Sequence, residues 1–175
     1  MGFKSSSTFI KVSLFLCISA FVFTCIGIFS PSWLMNEALK IQVGVFYKCV
    51  DGDCSGGDSS ESQTWQKAVA AMEILGILLA VPCLIFVVLF IFVPVTSGKT
   101  WVKVTTLSLA YGAGVLILIG VIVCVAKKDD FPELAPGYRL SFDVSWSFAM
   151  TIIAGMLYLS TGVFFTLDMI FNASW

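Results

Sequence analysis

Histidine is absent from this 175-residue chain, and charged residues make up only 12% of it. Without histidine the commonest general base and a common zinc ligand are both missing. Ten basic residues stand against eleven acidic ones, a net charge of −1, so the basic excess of a nucleic-acid binder is missing too and no nucleic-acid partner is expected. No internal repeat or low-complexity tract is present. Once the apolar runs described next are set aside, too few residues remain for a soluble catalytic domain. The expectation is a protein that is not an enzyme, with no cofactor and no bound metal.

What the chain has is apolar length. Hydrophobic residues make up 58% of it and its mean hydropathy is +0.97, well above the roughly 45–50% apolar content of soluble domains. Four runs, 12–29, 74–95, 105–125 and 144–167, contain no charge, and crossing a bilayer takes about 20 apolar residues. The tryptophans Trp33, Trp65, Trp101, Trp146 and Trp175 all fall near run ends, where indole rings favour the headgroup level. The chain therefore reads as one integral membrane, mainly α domain, residues 1–175. Its spans are expected at 9–29, 67–95, 104–126 and 144–171, separated by segments 30–66, 96–103 and 127–143. The first run follows Lys4 and Lys11 but is longer than a signal-peptide core, and Ser30-Pro31-Ser32-Trp33 is a poor cleavage site; it is expected to be retained.

Loop 30–66 carries the sharpest local signal. Asp51-Gly52 is a two-residue hairpin turn signal. Counting outward from it, Val50 faces Asp53 and Cys49 faces Cys54, a cross-strand pair whose Cα atoms would be roughly 4.5 Å apart. That is the short end of the disulfide range. A disulfide there implies the exocytoplasmic side, which with Lys4 and Lys11 before the first span predicts both termini in the cytosol, although the remaining basic residues are more numerous outside. Asn172-Ala173-Ser174, a glycosylation sequon by pattern, would then go unmodified. Val43, Val45 and Tyr47 fall on one face of an extended segment, with Gly44, Phe46 and Lys48 on the other, followed by the polar stretch 55–62.

Other candidates are weaker. Asp51, Asp53, Ser55 and Gly56, with Glu61 beyond, are spaced like the start of a calcium loop, but the twelfth position is Ser62, and no metal is assigned. Glu73 and Asp168 are the carboxylates nearest hydrocarbon, candidates by default; both are expected to snorkel to an interface. Cys17, Cys25, Cys83 and Cys124 read as small packing residues. The pairs Gly76 with Ala80 and Ala110 with Gly114 have small-xxx-small spacing, which serves internal packing or dimerisation alike. Loop 96–103 carries Lys99 and Lys103 with no acid and can rest on anionic headgroups.

Trp33, then Gly44-Val45-Phe46, then Cys49 and Cys54 resemble the first-loop signature of the claudin, peripheral myelin protein and epithelial membrane protein superfamily, with Phe46 in place of its second tryptophan. Trp65-Gln66-Lys67-Ala68-Val69-Ala70-Ala71-Met72 resembles the start of span two in the myelin and epithelial branch. Tyr138-Arg139-Leu140-Ser141-Phe142 with Trp146 and Gly155 resembles its start of span four, and the close cysteine spacing resembles the lens fibre membrane protein. The final Asn172-Ala173-Ser174-Trp175 is unlike the scaffold-docking tail of claudins.

The resemblance implies a left-handed four-transmembrane-helix bundle with a small extracellular antiparallel β-sheet, held by Trp33, Phe46 and the disulfide. It implies a plasma-membrane protein of cell contacts or junctions, acting through its outer loops, self-associating in the bilayer and meeting the same or a related protein on an adjacent cell. Two alternatives follow: an accessory subunit of an ion channel or receptor, and a paracellular pore, for which Asp51, Asp53, Asp58 and Glu61 would favour cations. A transporter using Glu73 and Asp168 ranks last, because no paired charges are expected at a common depth.

Overall fold

The computed structural model describes residues 6–56, 64–93, 95–96, 99–128 and 142–172. Four helices account for most of them: α1 (Thr8–Phe29), α2 (Thr64–Phe92), α3 (Thr100–Lys127) and α4 (Trp146–Asn172). Each is long and apolar enough to cross a membrane. Five short strands stand at one end: β1 (Leu34–Asn36), β2 (Ile41–Val43), β3 (Tyr47–Val50), β4 (Asp53–Gly56) and β5 (Asp143–Val144). They form a single antiparallel sheet in the order β4-β3-β2-β1-β5.

Each helix is apolar all round, so hydropathy does not say which side faces inward. The buried positions do. On α1 they are Ile10, Ser13, Cys17, Ala20, Thr24 and Gly27; on α2, Val69, Glu73, Gly76, Ala80, Cys83, Val87 and Phe90; on α4, Ser147, Thr151, Ala154, Tyr158, Thr161, Phe165 and Asp168. The steps alternate between three and four residues, the seven-residue repeat of left-handed bundle packing. The repeat is marked by small and polar side chains rather than apolar ones, because in lipid it is close approach and hydrogen bonding that separate an interior from an exterior. Five buried hydroxyls are satisfied within their own helices: Ser13, Thr24, Thr106, Thr151 and Thr161 each donate to the carbonyl four residues back.

Both small-xxx-small pairs lie inside. A Cβ on Gly76 would come 2.7 Å from Ile117 Cγ1, and one on Gly114 would come 2.9 Å from the Gly155 carbonyl oxygen of α4. These glycines set helix spacing within the bundle, leaving no small-residue groove there for a second copy.

Three local readings are corrected. Helix α2 starts at Thr64 rather than 67 and stops at Phe92, where the Thr96 hydroxyl donates to the carbonyls of Leu89 (2.6 Å) and Val93 (2.9 Å). Helix α3 starts at Thr100, which takes Lys103 out of the loop and into the bundle. Residues 43–48 are not one extended segment: the chain reverses at Gly44-Val45-Phe46, with Gly44 N–H donating to the Tyr47 carbonyl at 2.8 Å. Strand β5 was unforeseen; two residues are too short for any periodicity to register. Asp58, Glu61, residues 129–141 and Trp175 lie outside the described residues.

Candidate functional site

The sheet is built around the turn that the sequence signals. Asp51 and Gly52 both have positive φ, 51° and 94°, as a type I′ turn demands. The register pairs Val50 with Asp53 and Cys49 with Cys54. The two cysteines form a disulfide with Cα atoms 4.0 Å apart.

One face of the sheet is an open concavity of about 590 Å³ lined by Met35, Asn36, Glu37, Lys40, Gln42 and Asp51, with the disulfide beside them. Lys40, itself at φ 49°, pairs with Asp51 at 3.1 Å while both side chains stay 75% exposed; a pair so exposed contributes little to stability. Asp53 is exposed and belongs to the edge strand β4. Of the four carboxylates expected on this surface, Asp51 and Asp53 are on the same hairpin, while Asp58 and Glu61 fall outside the described residues.

The neck between sheet and bundle places the signature residues. Trp33 is buried rather than lodged at the headgroup level: its indole N–H donates to the Gly27 carbonyl at 2.6 Å, and its ring meets Phe148 edge-on with centroids 5.7 Å apart. That bond satisfies a carbonyl in the last turn of α1, which would otherwise lack a partner. Gly44 is required by proximity, since a Cβ there would lie 2.6 Å from the Ser30 carbonyl oxygen and 2.8 Å from Pro31 Cα. Phe46 leans on Phe29 with centroids 6.2 Å apart. Across the neck, Ser145 N–H donates to the Trp33 carbonyl at 2.9 Å, tying the start of α4 to β1.

Neither intramembrane carboxylate snorkels. Glu73 is fully buried, and neither carboxylate oxygen has a hydrogen-bond partner among the described residues. Its Oε1 occupies the space a side chain at Gly120 of α3 would need, 2.6 Å from the would-be Cβ. Being on the buried seam, Glu73 cannot turn outward without leaving α3. Asp168 is also buried, with its side chain 3% exposed, and accepts from Lys103 Nζ at 2.5 Å and from the Ser7 hydroxyl. Lys103 in turn lies 5.5 Å from the centre of the Phe90 ring, a cation–π distance. One carboxylate thus joins α4, α3 and the cap of α1, and its lysine touches α2, at the end of the bundle away from the sheet. A pair of opposite charges at common depth does exist, contrary to expectation. Ser7 and Lys103 were missed because both look like loop residues flanking apolar runs.

No family model matches this chain. Epithelial membrane protein 1 of Oryctolagus cuniculus is 28% identical over 154 residues, spanning 85% of this chain and 91% of that protein. The four apolar helices and the stapled sheet fit the tetraspan architecture of the superfamily of epithelial membrane proteins and claudins, to which the chain is similar. It is a multi-pass membrane protein whose disulfide-bonded hairpin lies between α1 and α2, and Phe46 stands where the first-loop signature it resembles has a second tryptophan.

Proposed function

We propose that this tetraspan is a non-enzymatic protein of cell–cell contacts, oriented with both termini in the cytosol and its sheet on the exocytoplasmic side, where it meets the same or a related protein on a neighbouring cell. The observation that carries this reading is the disulfide at the base of an exposed hairpin. Such a bond persists in an oxidising compartment, and it stiffens a polar surface at the end of the bundle. Lys4 and Lys11, which precede or open the first helix, support the same orientation. The concavity offers charged and amide side chains fit for recognition, whereas nothing in it pairs a nucleophile with a base, as covalent catalysis requires.

Lateral self-association in the bilayer belongs to this reading, but the internal glycines do not carry it. It falls to the lipid-facing side chains and the exposed β4 edge. As a paracellular pore the sheet would present Asp53 as its free acid on the hairpin, since Asp51 is paired with Lys40. The channel-accessory reading would use the same concavity against a protein in the same membrane.

The deciding experiment compares wild type with the Cys49→Ala, Cys54→Ala double variant in an epithelial line lacking its own claudins. Enrichment at contacts only where both cells express the protein, with altered transepithelial resistance, both lost in the variant, is the expected result. Diffuse surface staining with unchanged resistance would overturn the contact reading and leave the channel-accessory one.

A further inference from the structure

The two ends of the disulfide are unequally sheltered. Cys49 is 4% exposed, whereas Cys54 stands exposed on β4. Among the described residues β4 is the free edge of the sheet. On the other side of Cys49, its register partner is Gln42 of β2, whose Oε1 accepts from the Ser32 hydroxyl at 3.0 Å. Thiol–disulfide exchange proceeds by attack of a thiolate on one sulfur, in line with the bond that breaks and from the side away from the leaving sulfur. The bond here links β3 to β4. An attacker on Cys49 would have to come over β2, onto Gln42. An attacker on Cys54 comes from beyond β4, where no described strand stands in its way.

Access selects Cys54, and the concavity beside it selects the thiol. Its volume of about 590 Å³ is that of a small-molecule site. Lys40 and the amides of Asn36 and Gln42 offer donors to a carboxylate, while Glu37 and Asp51 offer acceptors to an ammonium group. We propose that Cys54 Sγ is an exchange site for a small peptide thiol bearing both carboxylate and ammonium groups, with Cys49 as the leaving and resolving sulfur. The incoming thiolate bonds to Cys54 Sγ, the Cys49–Cys54 bond breaks, and the electron pair leaves on Cys49 Sγ, which takes a proton from solvent. A second thiol then removes the first as a symmetric disulfide and leaves Cys54 reduced. Alternatively Cys49, kept opposite Cys54 by the register of the hairpin, attacks the mixed disulfide, expels the small thiol and restores the bridge. An exposed sulfur beside a resolving one is the arrangement of reversible thiol sensors. Exchange frees the edge strand β4 from its covalent tie. A consequent weakening of cell contacts rests on the function proposed above; the exchange itself does not.

The test uses purified full-length protein in detergent with reduced glutathione as the probe. After an acid quench, free thiols are alkylated, and cleavage before Asp51 and Asp53 separates the two cysteines for mass spectrometry. The expected species carries glutathione on Cys54 and the alkyl group on Cys49, with the converse absent; this needs no variant. With oxidised glutathione, Cys49→Ser should take up glutathione at Cys54, while Cys54→Ser should stay unmodified at Cys49 until denatured. Lys40→Gln should slow exchange with glutathione and leave unchanged the rate with mercaptoethanol, which has no charged group. Glutathione found on Cys49, a bridge that exchanges only in denaturant, or a Lys40→Gln variant that treats the two thiols alike would overturn the proposal. Exchange with a protein dithiol of the thioredoxin class but not with glutathione would overturn the small-thiol assignment. The cell assay above reads separately: contacts kept without exchange defeat this inference alone, and exchange with diffuse staining defeats the contact reading alone.

Discussion

Replacing Lys103 by methionine should damage this bundle more than replacing its partner Asp168 by asparagine, and the asymmetry follows from burial. Lys103 approaches the carboxylate at 2.5 Å with its own side chain 15% exposed, against 3% for Asp168. Lys103→Met strands an anion in the interior, and removing one partner of a buried pair costs about 3–5 kcal/mol. The lower figure applies here, because this end of the bundle lies near the headgroups. Asp168→Asn keeps an acceptor for Ser7 and leaves a lysine that can swing its ammonium towards water. Its cost should be about 1 kcal/mol, in line with the modest worth of hydrogen bonds inside membranes. The double variant removes both charges and should be about 2 kcal/mol more stable than Lys103→Met alone. Reversible unfolding in bicelles, read as a double-mutant cycle, measures all three. Equal single-variant costs that simply add would show that the pair is not coupled and that the four-helix clasp is a geometric coincidence.

Further expectations concern the neck, the seam and the sheet. Cys49→Ala with Cys54→Ala opens a short loop, worth roughly 2 kcal/mol in chain entropy, and should speed amide exchange in 41–56 while sparing the helices. Trp33→Phe loses the 2.6 Å bond to Gly27 at a cost of about 1–2 kcal/mol, and should make the first loop sensitive to protease without disturbing the disulfide. Gly120→Ala should destabilise the wild type, whose Glu73 Oε1 lies where the new methyl would go, yet be tolerated beside Glu73→Ala; thermal aggregation of the four proteins checks this. Epitope tags at either terminus should stain only after permeabilisation, and the sequon at Asn172 should remain unglycosylated; surface staining of intact cells would invert the proposed topology.

How much of this was legible in the sequence depends on which physical rule each residue obeys. The hairpin was, because Asp51-Gly52 fixes a turn type and the turn type fixes the register, so Cys49 meets Cys54. The spans were, because hydropathy counts residues against bilayer thickness. Gly44 was visible as a signature residue, but not as the reversal point, because its role is a close approach to Ser30 and Pro31, which no local pattern encodes. Glu73 and Asp168 were expected to turn outward because each was weighed alone, by distance from a helix end, whereas both are buried.

A different reading of the same letters places them correctly. Within an apolar helix the informative residues are the small and polar ones, and their spacing reveals the seam. Glu73, Gly76, Ala80 and Cys83 step by three, four and three along α2; Thr151, Ala154, Tyr158, Thr161 and Asp168 follow the same repeat along α4. A carboxylate on that repeat faces the interior whatever its depth, so it must find a partner there or remain unpaired. Asp168 finds Lys103 and Ser7; Glu73 finds only the space left by Gly120. The same seam buries Cys17 and Cys83. The lipid-facing sides are left with little but Phe, Ile, Leu and Val, and the proposed recognition would fall to the sheet, where exposed charge and amide side chains stand on a frame tied by the disulfide and Trp33.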